Sequence, residues 1–394
     1  MQPLVLSSFS IVSSLGDGLE ATLDALRTGK TGLAPCRFET AKLPTYVGEI
    51  PGIDDPANIH AAACRNSRVA LRALEQEGFA RNVAAAREKY GLDRIGVFVG
   101  TSTSGILETE LAYRQRNSAT GRLPAAFDYA RSHNTFSVAG FVSEHLDLDG
   151  PAVALSSACA TTAKVFGTAA RMIASGLCDA AIVGGADSLC LTTLYGFQSL
   201  NLLSTAPCRP FDRERDGISI GEGAGFALLE KPAKREAEDA VMLLGVGESN
   251  DAYHMSSPHP EGIGARLAME RALASANLAP KDIDYINLHG TATKPGDAAE
   301  DIAVSGLFGV ETPCSSTKGQ TGHTLGAAGI IEAIISSLSI RHGLLPGSPN
   351  TQNLDASLRG RYVVESQPAR IDRVMSNSFG FGGSNCSLIL GRAA

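Results

Sequence analysis

Leu155-Ser156-Ser157-Ala158-Cys159-Ala160-Thr161-Thr162-Ala163-Lys164 is the stretch on which the fold turns. An apolar run, Ala152 to Leu155, precedes it and reads as a short buried strand. Ala163, Phe166, Ala169, Ala170 and Ile173 follow at helical spacings of three and four, until Gly176 stops the pattern. A second buried strand, Ala180 to Val183, comes next. Cys159 therefore sits on a strand-to-helix turn among small residues, the outline of a nucleophile elbow with sulfur in place of a hydroxyl. Free N–H groups and the positive end of the helix dipole there favour thiolate over thiol. The plain alternative is a buried structural cysteine.

Working outward, residues 3 to 15 read as a strand and loop, and Leu19 to Leu26 as a helix closed by Gly29. Residues 34 to 60 read as an irregular excursion. Ala61 to Gln76 read as a helix with Arg65, Arg68 and Arg72 along one side, either a solvated face or a docking patch for an acidic partner. Ile95 to Gly100 is a buried strand running into the small-residue turn Thr101-Ser102-Thr103-Ser104-Gly105. Residues 106 to 150 alternate helix and loop. Gly221-Glu222-Gly223-Ala224-Gly225 runs straight into a strand-like segment, which argues for close backbone packing and against a dinucleotide site. The charged segment Lys231 to Asp239 reads as a seam between residues 1–235 and 236–394. The second half repeats the rhythm of the first, with strands at 241–246, 283–288, 373–377 and 385–390 and helices at 265–276 and, amphipathic, at 328–340.

The chain has 394 residues, 44% hydrophobic and 19% charged, which suits a large, well-buried α/β protein. A net charge of −7 (34 basic against 41 acidic) gives no sign of nucleic-acid binding. None of the eight cysteines forms a C-x-x-C pair, so neither zinc nor a dithiol centre is signalled. The start lacks the basic region of a signal peptide, and no apolar run approaches the ~18 residues of a membrane span. The expectation is a soluble cytoplasmic protein with reduced thiols.

Three groups in the second half carry chemistry at strand or helix ends: His289-Gly290-Thr291-Ala292-Thr293-Lys294-Pro295-Gly296-Asp297, Lys318-Gly319-Gln320-Thr321-Gly322-His323-Thr324-Leu325-Gly326-Ala327-Ala328-Gly329, and Asn377-Ser378-Phe379-Gly380-Phe381-Gly382-Gly383-Ser384-Asn385. Together with the cysteine stretch and Asp251 to Pro258, these resemble the β-ketoacyl-acyl-carrier-protein synthases, the elongating condensing enzymes of fatty-acid and polyketide assembly. The resemblance implies a thiolase-like five-layer αβαβα fold of two pseudo-symmetric halves. It implies a catalytic trio of Cys159, His289 and His323, with Lys318 orienting the His323 loop through Glu332 or Glu300. The N–H groups of Cys159 and Phe381 would form the oxyanion hole, with Phe381 also a mobile aromatic gate. Thr291, Thr293, Ser256 and Phe379 would bind substrate, and Asp297 would fix a loop. Arg65 and Arg68 would dock the acyl carrier protein, whose phosphopantetheine brings the substrate, so that the enzyme needs no cofactor or metal of its own. A homodimer or a heterodimer with a ketosynthase-like subunit is implied, with no nucleic acid and no membrane.

The chain departs from that pattern in two places. Ser8-Phe9 stands where the family has Thr-Gly, and Thr101 to Ser104 replaces a Gly-rich turn near the acyl pocket. The latter is similar to synthases of aryl polyene pigments and suits an unsaturated or aryl-primed chain. A thiolase-type acyl transferase shares the fold and the cysteine, but it needs a second cysteine in the loop that here runs Phe379 to Asn385 without one. Initiating synthases replace one histidine by asparagine, and chain-length subunits lack the cysteine.

Overall fold

Leu4–Ser13 forms β1, a ten-residue strand with nine buried positions at the middle of the molecule. The computed structural model describes residues 1–55, 62–233, 236–237 and 239–393. Ala61, at the start of the expected arginine-bearing helix, and the expected seam at 235/236 lie outside the described residues.

Ten further strands join β1 in one hydrogen-bonded path. They are β2 (Ile95–Gly100), β3 (Ala152–Leu155), β4 (Ala180–Asp187), β5 (Gly223–Glu230), β6 (Val241–Asn250), β7 (Tyr285–Asn287), β8 (Pro313–Ser315), β9 (Arg361–Tyr362), β10 (Arg373–Gly380) and β11 (Ser384–Arg392). The order is β3-β2-β4-β5-β1 in the first half and β9-β8-β7-β10-β11-β6 in the second. Within each half the first pairings are parallel and the last two antiparallel, so β1, β2, β3, β4 and β5 correspond to β6, β7, β8, β10 and β11. Along this strand path the two half-sheets pair where Leu4–Leu6 meets Val241–Leu243.

The sequence dictates this layering, because the strands are apolar on both faces. On β5, Ala227 and Leu229 enter one core cluster, and Ala224, Phe226 and Leu228 the opposite one. The same alternation sends Val374 of β10 inward and Met375 outward. The inner cluster joins both half-sheets through α6 (Thr161–Ala174) and α11 (Ala328–His342). The outer faces are covered by α2 (Arg65–Leu74), α3 (Phe79–Tyr90) and α5 (Ser137–Leu146) on one side, and by α8 (Ile263–Ala276) and α9 (Lys294–Phe308) on the other. Helix, sheet, helix, sheet, helix is the resulting five-layer stack. α11 is buried on every face from Ala328 to Ile340, not amphipathic as its sequence suggests, because it lies between two sheets. α9, to which the sequence pattern assigned no element, starts at Thr293 as N-cap with Pro295 in its first turn. The remaining helices are α1 (Gly18–Thr28), α4 (Ile106–Arg114), α7 (Leu191–Ser199) and α10 (Lys318–Thr321).

The C-terminal ends of the parallel strands all meet at the join between halves. Cys159 follows β3, His289 follows β7, His323 follows β8 and Phe381 follows β10.

Candidate active site

Cys159 occupies the sharp turn between β3 and α6, where Ala158 takes a left-handed φ of 50°. Its Sγ lies 3.0 Å from Nε2 of His323. The backbone N–H groups of Phe381 and of Cys159 itself donate towards the sulfur. Gly380 lets that second turn approach, since a Cβ there would lie 3.1 Å from the nitrogen of Cys159 and 3.2 Å from that of Ala160. The rings of His289 and His323 stand edge to face, 5.3 Å apart and inclined by 86°. One ligand-type atom from each of Cys159, His289 and His323 lies within 4.8 Å of the others.

Each imidazole is held by its backbone. The N–H groups of His289 and Gly290 donate to the two oxygens of Glu300 at 2.8 Å. The His289 carbonyl accepts from Lys318 Nζ at 2.6 Å, and that ammonium lies 3.4 Å from His289 Nδ1. An ammonium only donates, so Nδ1 accepts and the ring proton sits on Nε2. Lys318 forms its ion pair with Glu332. It thus serves His289, where the sequence suggested the His323 loop, and of the two carboxylates foreseen for it Glu332 is the partner. His323 donates its N–H to Ser219 and accepts from Gly221 N–H at 2.9 Å.

Burial dominates the electrostatics. It pushes the Cys159 thiol up to about 11, against the pull of the Lys318 ammonium and the N–H of Phe381. The elbow's N–H groups therefore do not by themselves yield a resting thiolate, contrary to the expectation from the helix end. Both imidazoles fall well below their ordinary value, through burial first and the charge of Lys318 second. They are neutral at neutral pH. Burial also pushes Glu332 up to about 7, with Lys318 opposing.

A sulfur with two imidazoles is a donor set that suits a transition ion, and it is the one such cluster among the described residues. The proton fixed on His289 Nε2 favours a hydrogen-bond donor there over a ligand.

The trio opens onto a cleft enclosing about 910 Å³, its open mouth included. Thr291, Thr293, Ser256, Phe379 and Phe381 all line it. The Thr291 and Thr293 hydroxyls are 3.1 Å apart. The Phe379 ring is 6.0 Å from that of His289, and the Phe381 ring 5.5 Å from that of Phe197. Asp297 is buried and accepts from the N–H groups of Phe211 and Ala292, the loop-fixing part foreseen for it.

Arg65 and Arg68 do not form a docking surface. Arg65 is 2% exposed and donates to both oxygens of Glu222 at 2.9 and 2.6 Å. Arg68 is 9% exposed and bonds Asp54 at 2.6 Å. The apolar face of α2 draws these side chains under the chain, where acidic residues distant in sequence meet them. The Thr101, Ser102 and Thr103 hydroxyls are likewise engaged internally, by Asp187, rather than offered to an acyl chain. Asp187 and Phe197 were not singled out from sequence. The signal for Asp187 was a lone carboxylate ending an apolar strand at Gly184-Gly185-Ala186-Asp187.

Two family models match the chain: the N-terminal domain of beta-ketoacyl synthase over residues 1–235 and its C-terminal domain over 240–352. A 3-oxoacyl-[acyl-carrier-protein] synthase 2 of Coxiella burnetii is 35% identical over 413 residues, covering 99% of this chain and 98% of its own. The mitochondrial 3-oxoacyl-[acyl-carrier-protein] synthase of Arabidopsis thaliana is 34% identical, covering 98% and 92%. Among solved structures, the ketosynthase ApeO in complex with its chain length factor ApeC from Xenorhabdus doucetiae superposes with a TM-score of 0.88 at 39% identity, over 100% of this chain and 98% of that one.

Proposed function

The chain belongs to the β-ketoacyl synthase family, and on that footing we propose the reaction and the part each residue plays in it. The enzyme condenses an acyl thioester with malonyl-acyl-carrier protein, with loss of carbon dioxide, to give 3-oxoacyl-acyl-carrier protein. Phosphopantetheine arrives on the carrier, and the synthase needs no cofactor of its own.

The steps follow from the cleft. The acyl group passes from the carrier to Cys159, and the thiol proton goes to the departing pantetheine sulfur. The carbonyl oxygen rests on the N–H groups of Cys159 and Phe381. Malonyl-carrier then enters along Thr291 and Thr293. Its C–C bond to the carboxylate breaks, carbon dioxide leaves, and the electron pair becomes an enolate. The Nε2–H groups of His289 and His323 hold the enolate oxygen. The enolate carbon attacks the acyl-Cys159 carbonyl, the C–S bond breaks, and the sulfur takes up a proton from water. The product is two carbons longer, and the order is ping-pong. The observation that carries this reading is the approach of one sulfur and two neutral imidazoles to within 4.8 Å.

The test is a reaction of malonyl-carrier protein with a panel of acyl-carrier primers, read by mass spectrometry. Wild type yields a 3-oxoacyl product and Cys159→Ala none; elongation by Cys159→Ala at the wild-type rate overturns the reading.

The fatty-acid and polyketide settings separate by partner. The 39% identical relative is paired with a chain length factor, which favours a heterodimeric polyketide assembly, of the aryl polyene type, for this chain. β3 ends the strand path with all four residues half-buried, so its outer edge is open to a second subunit. Native mass spectrometry with and without a co-expressed ketosynthase-like subunit decides between hetero- and homodimer. Residues 1–235 and 236–394 are proposed as the two units, the first carrying the cysteine and the second both histidines. Among the described residues no helix is long and apolar enough to cross a membrane. Eight free cysteines support a reducing compartment, and the cytoplasm is the proposed location.

A further inference from the structure

We infer that Asp187 is a positioning residue that clamps the His323 loop to the nucleophile half of the molecule. Asp187 ends β4 and is fully buried. Its Oδ1 accepts from the Thr101 hydroxyl at 2.7 Å, Ser102 N–H at 2.7 Å, and Thr103 N–H and hydroxyl at 2.8 Å each. Its Oδ2 accepts from the Ser102 hydroxyl at 2.6 Å and from Gly326 N–H. Six donors surround it, and three of them, the N–H groups of Ser102, Thr103 and Gly326, can only donate.

Gly326 is the crossing point. It lies three residues after His323, beyond Leu325, whose left-handed φ of 54° is a conformation that a bulky residue seldom holds unaided. The N–H of Gly326 goes to Asp187, while its carbonyl accepts from the Thr162 hydroxyl of α6 at 2.6 Å. One residue is thus gripped by the end of β4 on one side and by the nucleophile's own helix on the other. The fit needs glycine: a Cβ at 326 would lie 2.7 Å from Asp187 Oδ2, and one at 329 only 2.4 Å from Ala163 N. His323 is otherwise tethered from its N-terminal side and at its own backbone, through Ser219 and Gly221. Asp187, together with Thr162, supplies the hold on the C-terminal side, and with it the 3.0 Å approach of His323 Nε2 to Cys159 Sγ.

The kinetic part of the test rests on the condensation reading; the exchange part does not. Full-length Asp187→Asn keeps the shape but turns an amide N–H₂ against donors. The milder Ser102→Ala removes one donor to Oδ2 and keeps the test open if the first variant does not fold. Three quantities are measured: acyl loading of Cys159, decarboxylation of malonyl-carrier, and amide exchange of the peptide 322–329. For Asp187→Asn the decarboxylation kcat falls roughly 100-fold, the loss expected for a misplaced catalytic group, with KM for malonyl-carrier and acyl loading close to wild type. The amides of 322–329 exchange faster than in wild type, and Ser102→Ala gives the same split, smaller. Equal loss of both partial reactions, or unchanged exchange at 322–329, overturns the clamp. A wild-type enzyme that condenses nothing sinks the proposed function instead, and the exchange measurement still decides the clamp.

Discussion

Lys318→Met separates what Lys318 does for stability from what it does for chemistry. In the wild type, burial raises the Glu332 carboxyl to about 7 while the ammonium pulls it down. A carboxyl raised on folding contributes stability that is complete below its unfolded value near 4.5 and lost as pH climbs to its folded value. Wild-type stability from this group therefore levels off above about pH 7. Without the ammonium, Glu332 keeps its burial and loses the opposing charge, so its folded value rises further. The variant therefore goes on losing stability above pH 7, where the wild type has levelled off, at a slope of up to about 1.4 kcal/mol per pH unit. Urea melts at pH 6 to 9 read this slope. Lys318→Met with Glu332→Gln removes the carboxyl and the extra slope with it. Condensation stays down in both variants, by roughly 100-fold, because His289 Nδ1 has lost the donor that fixed its tautomer. Parallel melts of variant and wild type up to pH 9, or condensation restored in the double variant, would refute the reasoning.

Alkylation of Cys159 should rise about tenfold per pH unit between pH 7 and 9, because the buried thiol titrates only at about 11; a reactivity plateau below pH 8 contradicts this. On the acid side, condensation should hold down to well below pH 6.5, since both imidazoles are neutral there and become charged only as pH falls through their lowered values; half-loss at pH 6.5 in the pH–rate profile counts against it. Arg65→Met leaves Glu222 buried without its cation and should cost about 3–5 kcal/mol in denaturant melts, with KM for the carrier unchanged in the folded fraction.

The cysteine elbow was legible because strand, turn and helix are each encoded locally, from Ala152 to Gly176. The histidines were legible as Gly- and Thr-flanked residues at element ends. The surroundings of Arg65 were not. A row of arginines on a polar helix face reads as solvated until Glu222, 157 residues on, is brought beneath it. The full burial of α11 is likewise decided by the second sheet, which no local period reports. The resting thiol escaped for the same reason, since burial is a sum over the whole fold and it outweighs the local N–H groups. Asp187 stayed hidden because its six donors come from two distant segments.

Pulse-labelling tests the central claim most directly. The protein is loaded from an acyl-carrier primer, digested and mapped, and then chased with malonyl-carrier protein. The expected result is an acyl mass on the Cys159 peptide alone, discharged in the chase as a 3-oxoacyl-carrier two carbons longer. An acyl mass on any other residue, or one on Cys159 that malonyl-carrier leaves in place, would contradict it.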